Sequence, residues 1–262
     1  MQKLKFALRY LKYLFKAVNE HGLHSPFMFH FALNVIYLEH PFYDFKKLNK
    51  LRGELLDTST ILNIEDYGAG SLHFKENKRT VKEIARHGIT TQKNAELLFR
   101  IVNFLQPKNC IELGTSLGLT SMYLASAVKK STLYTIEGSE SLSKFARELF
   151  VKNNVNNITS FQGKFDDCLP EMLHNIEKLD FAFIDGHHDK EATIRYFNLL
   201  LKKIHNDTIL VFDDINWSTG MQEAWDIIRK HEHVKISVDL FYMGILFFRK
   251  EQKEQEHFVI RF

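Results

Sequence analysis

Between Cys110 and Gly118 the chain reads Cys-Ile-Glu-Leu-Gly-Thr-Ser-Leu-Gly. A short apolar strand carries an acid and then breaks into a glycine loop. Beyond Gly118 the pattern turns helical, through Leu119, Met122, Tyr123, Ala125 and Ser126. Glycine at a strand-to-helix turn lets backbone N–H groups approach a ligand closely. Doubly wound α/β domains hold nucleotide-like cofactors at such a turn, so the run constrains both fold and site.

The rest of the chain fits that frame. Apolar strand-like runs at 109–113, 132–137, 157–162, 180–184 and 208–212 alternate with helical runs at 118–129, 139–153, 166–175, 189–204 and 219–231. The alternation predicts parallel strands with helices on both faces. Val234–Leu240 and Ile245–Arg249 have only Phe-Tyr-Met-Gly between them. A link that short permits a hairpin but no parallel crossover. The expected fold is α/β: a Rossmann-like, doubly wound, seven-stranded sheet with a terminal antiparallel hairpin. The charged tail Lys250–His257 reads as solvated.

The first ninety residues read as a helical cap and loop (1–90) ahead of a cofactor-binding domain (91–262). Leu4, Leu8, Leu11, Phe15 and Val18 fall on one helical face, with Lys5, Arg9, Lys12 and Lys16 on its flank. The expectation is a helix packed on the core. The other readings are a homodimer contact and a peripheral contact with a membrane surface. His21-Gly22 ends this helix, Ser25-Pro26 starts a second, and a third spans 42–56. Residues 57–80 read as one long loop around Asp66-Tyr-Gly-Ala-Gly-Ser71, and a helix over 92–105 follows.

Composition excludes several classes. A net charge of +3 gives no bulk reason to bind nucleic acid. Two cysteines make no disulfide framework and point to a reducing, cytoplasmic setting. No apolar run reaches the roughly 18 residues that a membrane span requires.

Three further features narrow the ligand. Ser116 stands where a dinucleotide fingerprint has its middle glycine, which argues against a nicotinamide cofactor. Glu137 closes the next strand, about 20 residues past the loop, where an acid accepts hydrogen bonds from ribose hydroxyls. Asp185 ends the strand of Phe181–Ile184, while Asp213 and Asp214 end the strand after it. If those strands are neighbours, about 4.8 Å apart, three carboxylates converge and need a cation or a proton. An oxygen-only set favours Mg²⁺, Mn²⁺ or Ca²⁺. The plain alternative makes Asp213 a solvated acid and Asp214 a helix cap.

Glu112-Leu-Gly-Thr-Ser-Leu-Gly118, Glu137, Ile184-Asp-Gly-His-His188 and Phe212-Asp-Asp-Ile-Asn-Trp217 together resemble class I S-adenosylmethionine-dependent methyltransferases of the O-methyltransferase branch. The resemblance covers about residues 92–249. His21-Gly-Leu-His-Ser-Pro-Phe27 and the 66–71 loop also resemble a bacterial group familiar from Bacteroidetes. The resemblance implies that Gly114, Thr115, Ser116 and Gly118 cradle the cofactor's methionine part, that Glu112 orients its amino group and that Glu137 binds its ribose. It places the adenine at Gly163-Lys164-Phe165 and Asp185 beside the cofactor. It implies a metal held by Asp185, Asp213 and Asp214, with His188 as base.

The expected activity is metal-assisted O-methylation of a small-molecule hydroxyl. A metal-independent protein or RNA methyltransferase, and a non-catalytic module retaining the fold, remain as alternatives.

Overall fold

The computed structural model describes residues 2–65 and 77–262 of the chain, with the side chains of 2–5 set aside. The 66–71 loop lies outside the described residues. Contacts divide the chain into two compact units: 39–176, and 1–38 together with 177–262. The first ninety residues are therefore shared between them.

The discontinuous unit begins with α1 (Gln2–Lys16) and α2 (Pro26–Phe31), which runs into a π-helical turn over Ala32–Ile36. Ser25 precedes Pro26 in the capping position but makes no side-chain cap bond. α1 does pack on its unit, though not through the leucine face. Phe6 and Tyr10 meet the ring of Phe241 at 5.2 and 4.9 Å, while Leu8, Leu11 and Phe15 are exposed. Aromatic rings bury more area than leucines and tolerate edge-to-face contact, so the mixed aromatic face won the docking. Burial pushes the Tyr13 hydroxyl up to about 12, and it donates to the carbonyl of Ile260 at 2.5 Å.

The contiguous unit opens with α3 (Tyr43–Asp57), followed by β1 (Ile61–Asn63), β2 (Lys78–Thr80), α4 (Val81–His87) and α5 (Gln92–Leu105). The expected 57–80 loop thus contains two short strands. Ile61 pairs with Thr80 and Asn63 with Lys78, antiparallel. The sequence Thr80-Val-Lys-Glu83 is a capping box. Glu83 N–H donates to the Thr80 hydroxyl, and the Glu83 carboxylate accepts from Thr80 N–H. The core joins Phe45, Leu48, Leu51 and Leu55 of α3 to Phe99 of α5, each such burial contributing about 1.5–3 kcal/mol.

Alternating elements complete this unit: β3 (Asn109–Leu113), α6 (Leu119–Ala127), β4 (Thr132–Glu137), α7 (Glu140–Lys152), β5 (Ile158–Gln162) and α8 (Phe165–His174). β4 lies between β3 and β5, parallel to both. The discontinuous unit then resumes with β6 (Leu179–Ile184), α9 (Lys190–Leu200), β7 (Ile204–Phe212), α10 (Thr219–Ile228), β8 (Ile236–Asp239), β9 (Gly244–Phe247) and β10 (Glu256–Val259). β7 pairs parallel with β6 and antiparallel with β9, and β8 and β9 form the expected hairpin.

β10 was not expected. It pairs parallel with β8, with Phe258 opposite Val238. The tail is therefore ordered from Glu256 onward, where Phe258, Val259 and Ile260 replace the charged run. No helix among the described residues is long and apolar enough to cross a membrane.

Candidate active site

The glycine loop sits in the contiguous unit, between β3 and α6. Register sets Glu112 of β3 opposite Thr135 of β4. Glu112 is fully buried, and one of its oxygens accepts from the Ser121 hydroxyl and, at 2.6 Å, from the Thr135 hydroxyl. Thr135 has given its only proton to Glu112, so Thr115 must donate to Thr135 across their 2.6 Å contact. A buried carboxylate is tolerable only with such partners.

Beyond this chain the backbone bends sharply. Gly114 has φ +104°, Ser116 +49° and Gly118 +82°. At Gly118 a side chain is doubly barred, since a Cβ would come within 2.6 Å of the Phe150 ring. Ser116, where a glycine was missed in the fingerprint, takes up the left-handed conformation itself. Its N–H donates to Glu137 at 2.8 Å, and Ser139 N–H donates to the other oxygen of the same carboxylate at 2.9 Å. Glu137 thus ties the loop after β3 to the loop after β4.

Gly163 extends the same edge. Its N–H donates to the Glu137 carbonyl at 2.9 Å, and its φ of +151° leaves no room for a Cβ beside Cys168 Sγ. Lys164 and Phe165 follow at the start of α8. The cofactor residues expected in this unit are therefore brought to the carboxyl ends of β3, β4 and β5, the edge at which α/β folds bind ligands.

The acids lie in the discontinuous unit. Register pairs Ile184 with Phe212, so Asp185 and Asp213 leave adjacent strands at the same level. His188 lies between two carboxylates: Nε2 is 3.7 Å from Asp185 and Nδ1 is 3.8 Å from Asp214. These are ion-pair distances rather than hydrogen bonds. Asp185 is 22% exposed, and His188 and Asp214 are each 31% exposed, so an incoming molecule can reach all three. Asp213 accepts the N–H of Asp214 at 3.0 Å. Burial, then Asp185, then Asp214 hold the Asp213 carboxyl well above the usual carboxylate range. Burial also raises Asp214, against the pull of His188.

The backbone here is strained as well. His187, His188 and Asp214 all have positive φ (68°, 30° and 55°). Side chains other than glycine hold such angles at a cost of about 1–3 kcal/mol each and do so mostly at functional sites. Asp189 caps α9 by accepting Ala192 N–H at 3.0 Å. As the side chains lie, no three His, Cys, Asp or Glu among the described residues form a group spaced to hold a metal ion.

Sequence reasoning missed the parts that hold the acid loop. Arg9 of α1 donates to the carbonyls of Asn216 and Trp217 at 3.1 and 3.2 Å and to the Thr219 hydroxyl at 2.9 Å. Asn216 donates to the Phe241 carbonyl at 2.9 Å, and burial, then Tyr10, then Asp214 raise the Tyr242 hydroxyl. The Tyr196 hydroxyl lies 3.3 Å from His187 Nδ1. The Arg9 pairings leave no spacing signal, because their partners are more than two hundred positions away in the chain.

Comparison with known proteins fits this arrangement. Residues 111–215 match a family model described as a methyltransferase domain. A Mycobacterium tuberculosis protein named as a probable O-methyltransferase is 28% identical over 128 residues, 45% of this chain and 54% of the relative. The match thus spans about half the length of that curated relative. Among solved structures, an O-methyltransferase from Bacillus cereus in complex with SAH aligns with TM-score 0.55 and 17% identity, covering 83% of this chain and 95% of that one. The O-methyltransferase TomG from Streptomyces achromogenes, in complex with SAM, aligns with TM-score 0.56 and 16% identity, covering 85% and 95%.

The fold is that of the class I methyltransferases. Within that class the chain resembles the O-methyltransferase branch.

Proposed function

We propose that this protein transfers the methyl group of S-adenosylmethionine to a hydroxyl of a small molecule. The observation that carries the reading is His188, held between Asp185 and Asp214 and open to an incoming molecule. The donor half rests on the Gly114–Gly118 loop with Glu137, and on structural relatives whose structures contain SAH or SAM.

The sulfonium methyl is already activated, so the protein has to align an oxygen and take its proton. The acceptor oxygen attacks the methyl carbon, the carbon–sulfur bond breaks, and the products are a methyl ether and S-adenosylhomocysteine. The proton passes to His188, and the two flanking carboxylates offset the positive charge that forms. In-line placement supplies much of the remaining acceleration.

The donor chemistry of Asp185, Asp213 and Asp214 fits a hard divalent ion such as Mg²⁺. Burial first, then Asp185 and Asp214, raise the Asp213 carboxyl, and a cation among the three would oppose that rise. These three residues would hold the ion, and it would supply Lewis acidity to the acceptor oxygen. A cytoplasmic setting, a small-molecule partner and the absence of a nucleic-acid partner belong to the same reading.

Calorimetry with S-adenosylhomocysteine tests the donor half, and the expected result is binding that Glu137→Ala weakens at least tenfold. Absence of binding would overturn the cofactor assignment. Turnover with a labelled methyl donor across a panel of phenols and sugars tests the acceptor half. Full activity after chelation would remove the metal from the reading and leave His188.

A further inference from the structure

The outward face of α1 is left largely exposed. Leu8, Leu11 and Phe15 repeat at helical spacing and are 50%, 49% and 90% exposed. The opposite face is fixed to the unit through Phe6, Tyr10, Tyr13 and Arg9. Beside the apolar stripe stand the exposed Lys12 and Lys16, and α1 contains no Asp or Glu at all. A helix of this kind lies in the plane of a bilayer interface, with apolar side chains at the acyl boundary and lysines at the phosphates.

A cavity of about 420 Å³ continues the basic flank inward. Lys12, Lys16, Arg9, Arg229 and His257 line it. Of its two acids, Asp226 is paired with Arg229 at 2.6 Å and Asp239 accepts the N–H of Phe241 at 2.7 Å. Burial, then Arg229, holds His257 down to about 4 against the pull of Asp226.

We propose that α1 docks this protein on an anionic lipid bilayer, with Leu8, Leu11 and Phe15 in the interface and Lys12 and Lys16 against the headgroup phosphates. Charge decides against a second copy as the occupant. Two copies paired through this stripe would bring lysines together, and α1 offers no acid to answer them. Arg9 ties the same helix to the carbonyls of Asn216 and Trp217, so docking would take place on the element that braces the acid loop.

The test is flotation of the full chain with vesicles of phosphatidylglycerol and phosphatidylcholine, against vesicles of phosphatidylcholine alone. Binding at low salt should favour the anionic vesicles at least tenfold and fade as salt rises. Phe15→Asp with Leu11→Asp should lower it at least tenfold, and Lys12→Glu or Lys16→Glu by about fivefold each. All four positions are exposed, so circular dichroism should be unchanged. Equal binding to both vesicle types, no binding to either, or binding that survives Phe15→Asp with Leu11→Asp overturns the proposal. So does a dimer in size-exclusion chromatography that Phe15→Asp splits while vesicles go unbound, which would assign the face to a second copy.

Discussion

The glycine loop and the acid cluster both gather carboxylates at the ends of strands, yet they treat those carboxylates in opposite ways. Glu112 and Glu137 are met by donors: two hydroxyls for the first, two backbone N–H groups for the second. Asp185, Asp213 and Asp214 crowd one another around the His188 imidazole, and Asp213 accepts the Asp214 N–H. The first arrangement stabilises the fold as it stands. The second leaves excess negative charge and left-handed backbone in place, which costs stability and makes sense where a ligand is to be answered. Acids held by hydroxyl and backbone donors stand in the first region, and acids crowded against one another stand in the second.

Substitution can separate the two. In the cluster, His188→Ala should cut turnover by about 10²–10⁴-fold while shifting the melting temperature little, since Asp185 and Asp214 lie 3.7 and 3.8 Å from the ring, beyond hydrogen-bond distance. A comparable loss of stability would mean that His188 is structural. In the loop, Gly118→Val should cost stability as well. Its Cβ would strike the Phe150 ring and its φ is +82°, for a loss of about 3 kcal/mol or more, read by urea unfolding. Glu137→Ala should be milder, costing about 1–3 kcal/mol by leaving the N–H groups of Ser116 and Ser139 without an acceptor.

The smallest effect should have the opposite sign. Asp213→Asn should stabilise the protein by on the order of 1 kcal/mol at neutral pH. The folded carboxyl is raised from 3.8, so above that pH the folded state binds more protons than the unfolded one. Stability therefore falls as pH rises through the window from 3.8 to the raised value. The variant's advantage should be absent below about pH 4 and open upward from there, in melting curves recorded with a chelator present. A destabilised Asp213→Asn would show that the two regions do not differ as described.

Much of this was legible in the sequence where a pattern is local. Strands 109–113 and 132–137 and the helix over 92–105 coincide with β3, β4 and α5, because period and punctuation lie within each segment. The acids at strand ends were legible for the same reason. α4 was missed although Thr80-Val-Lys-Glu83 carried its capping box, a signal the surrounding polar run concealed. β10 was missed for a different reason: four residues have no pattern of their own, and only pairing with β8 makes them a strand. The leucine face of α1 was legible as amphipathic, but periodicity reports that a face is apolar, not which way it turns. Arg9 on the acid loop belongs to the same class of information, being a contact over 207 positions.

Tyr13 and Ile260 are separated by 247 positions. At roughly 5–20 residues per second, a ribosome needs on the order of ten to fifty seconds to pass from one to the other. The contiguous unit, 39–176, can close its own core during that wait. The helix that carries the basic, apolar surface emerges well before the residue that its Tyr13 hydroxyl meets. For that interval Phe6, Tyr10 and Tyr13 lack the partners they later cover. The acid loop that Arg9 holds, at Asn216 and Trp217, is thus braced only after about two hundred further residues have been made.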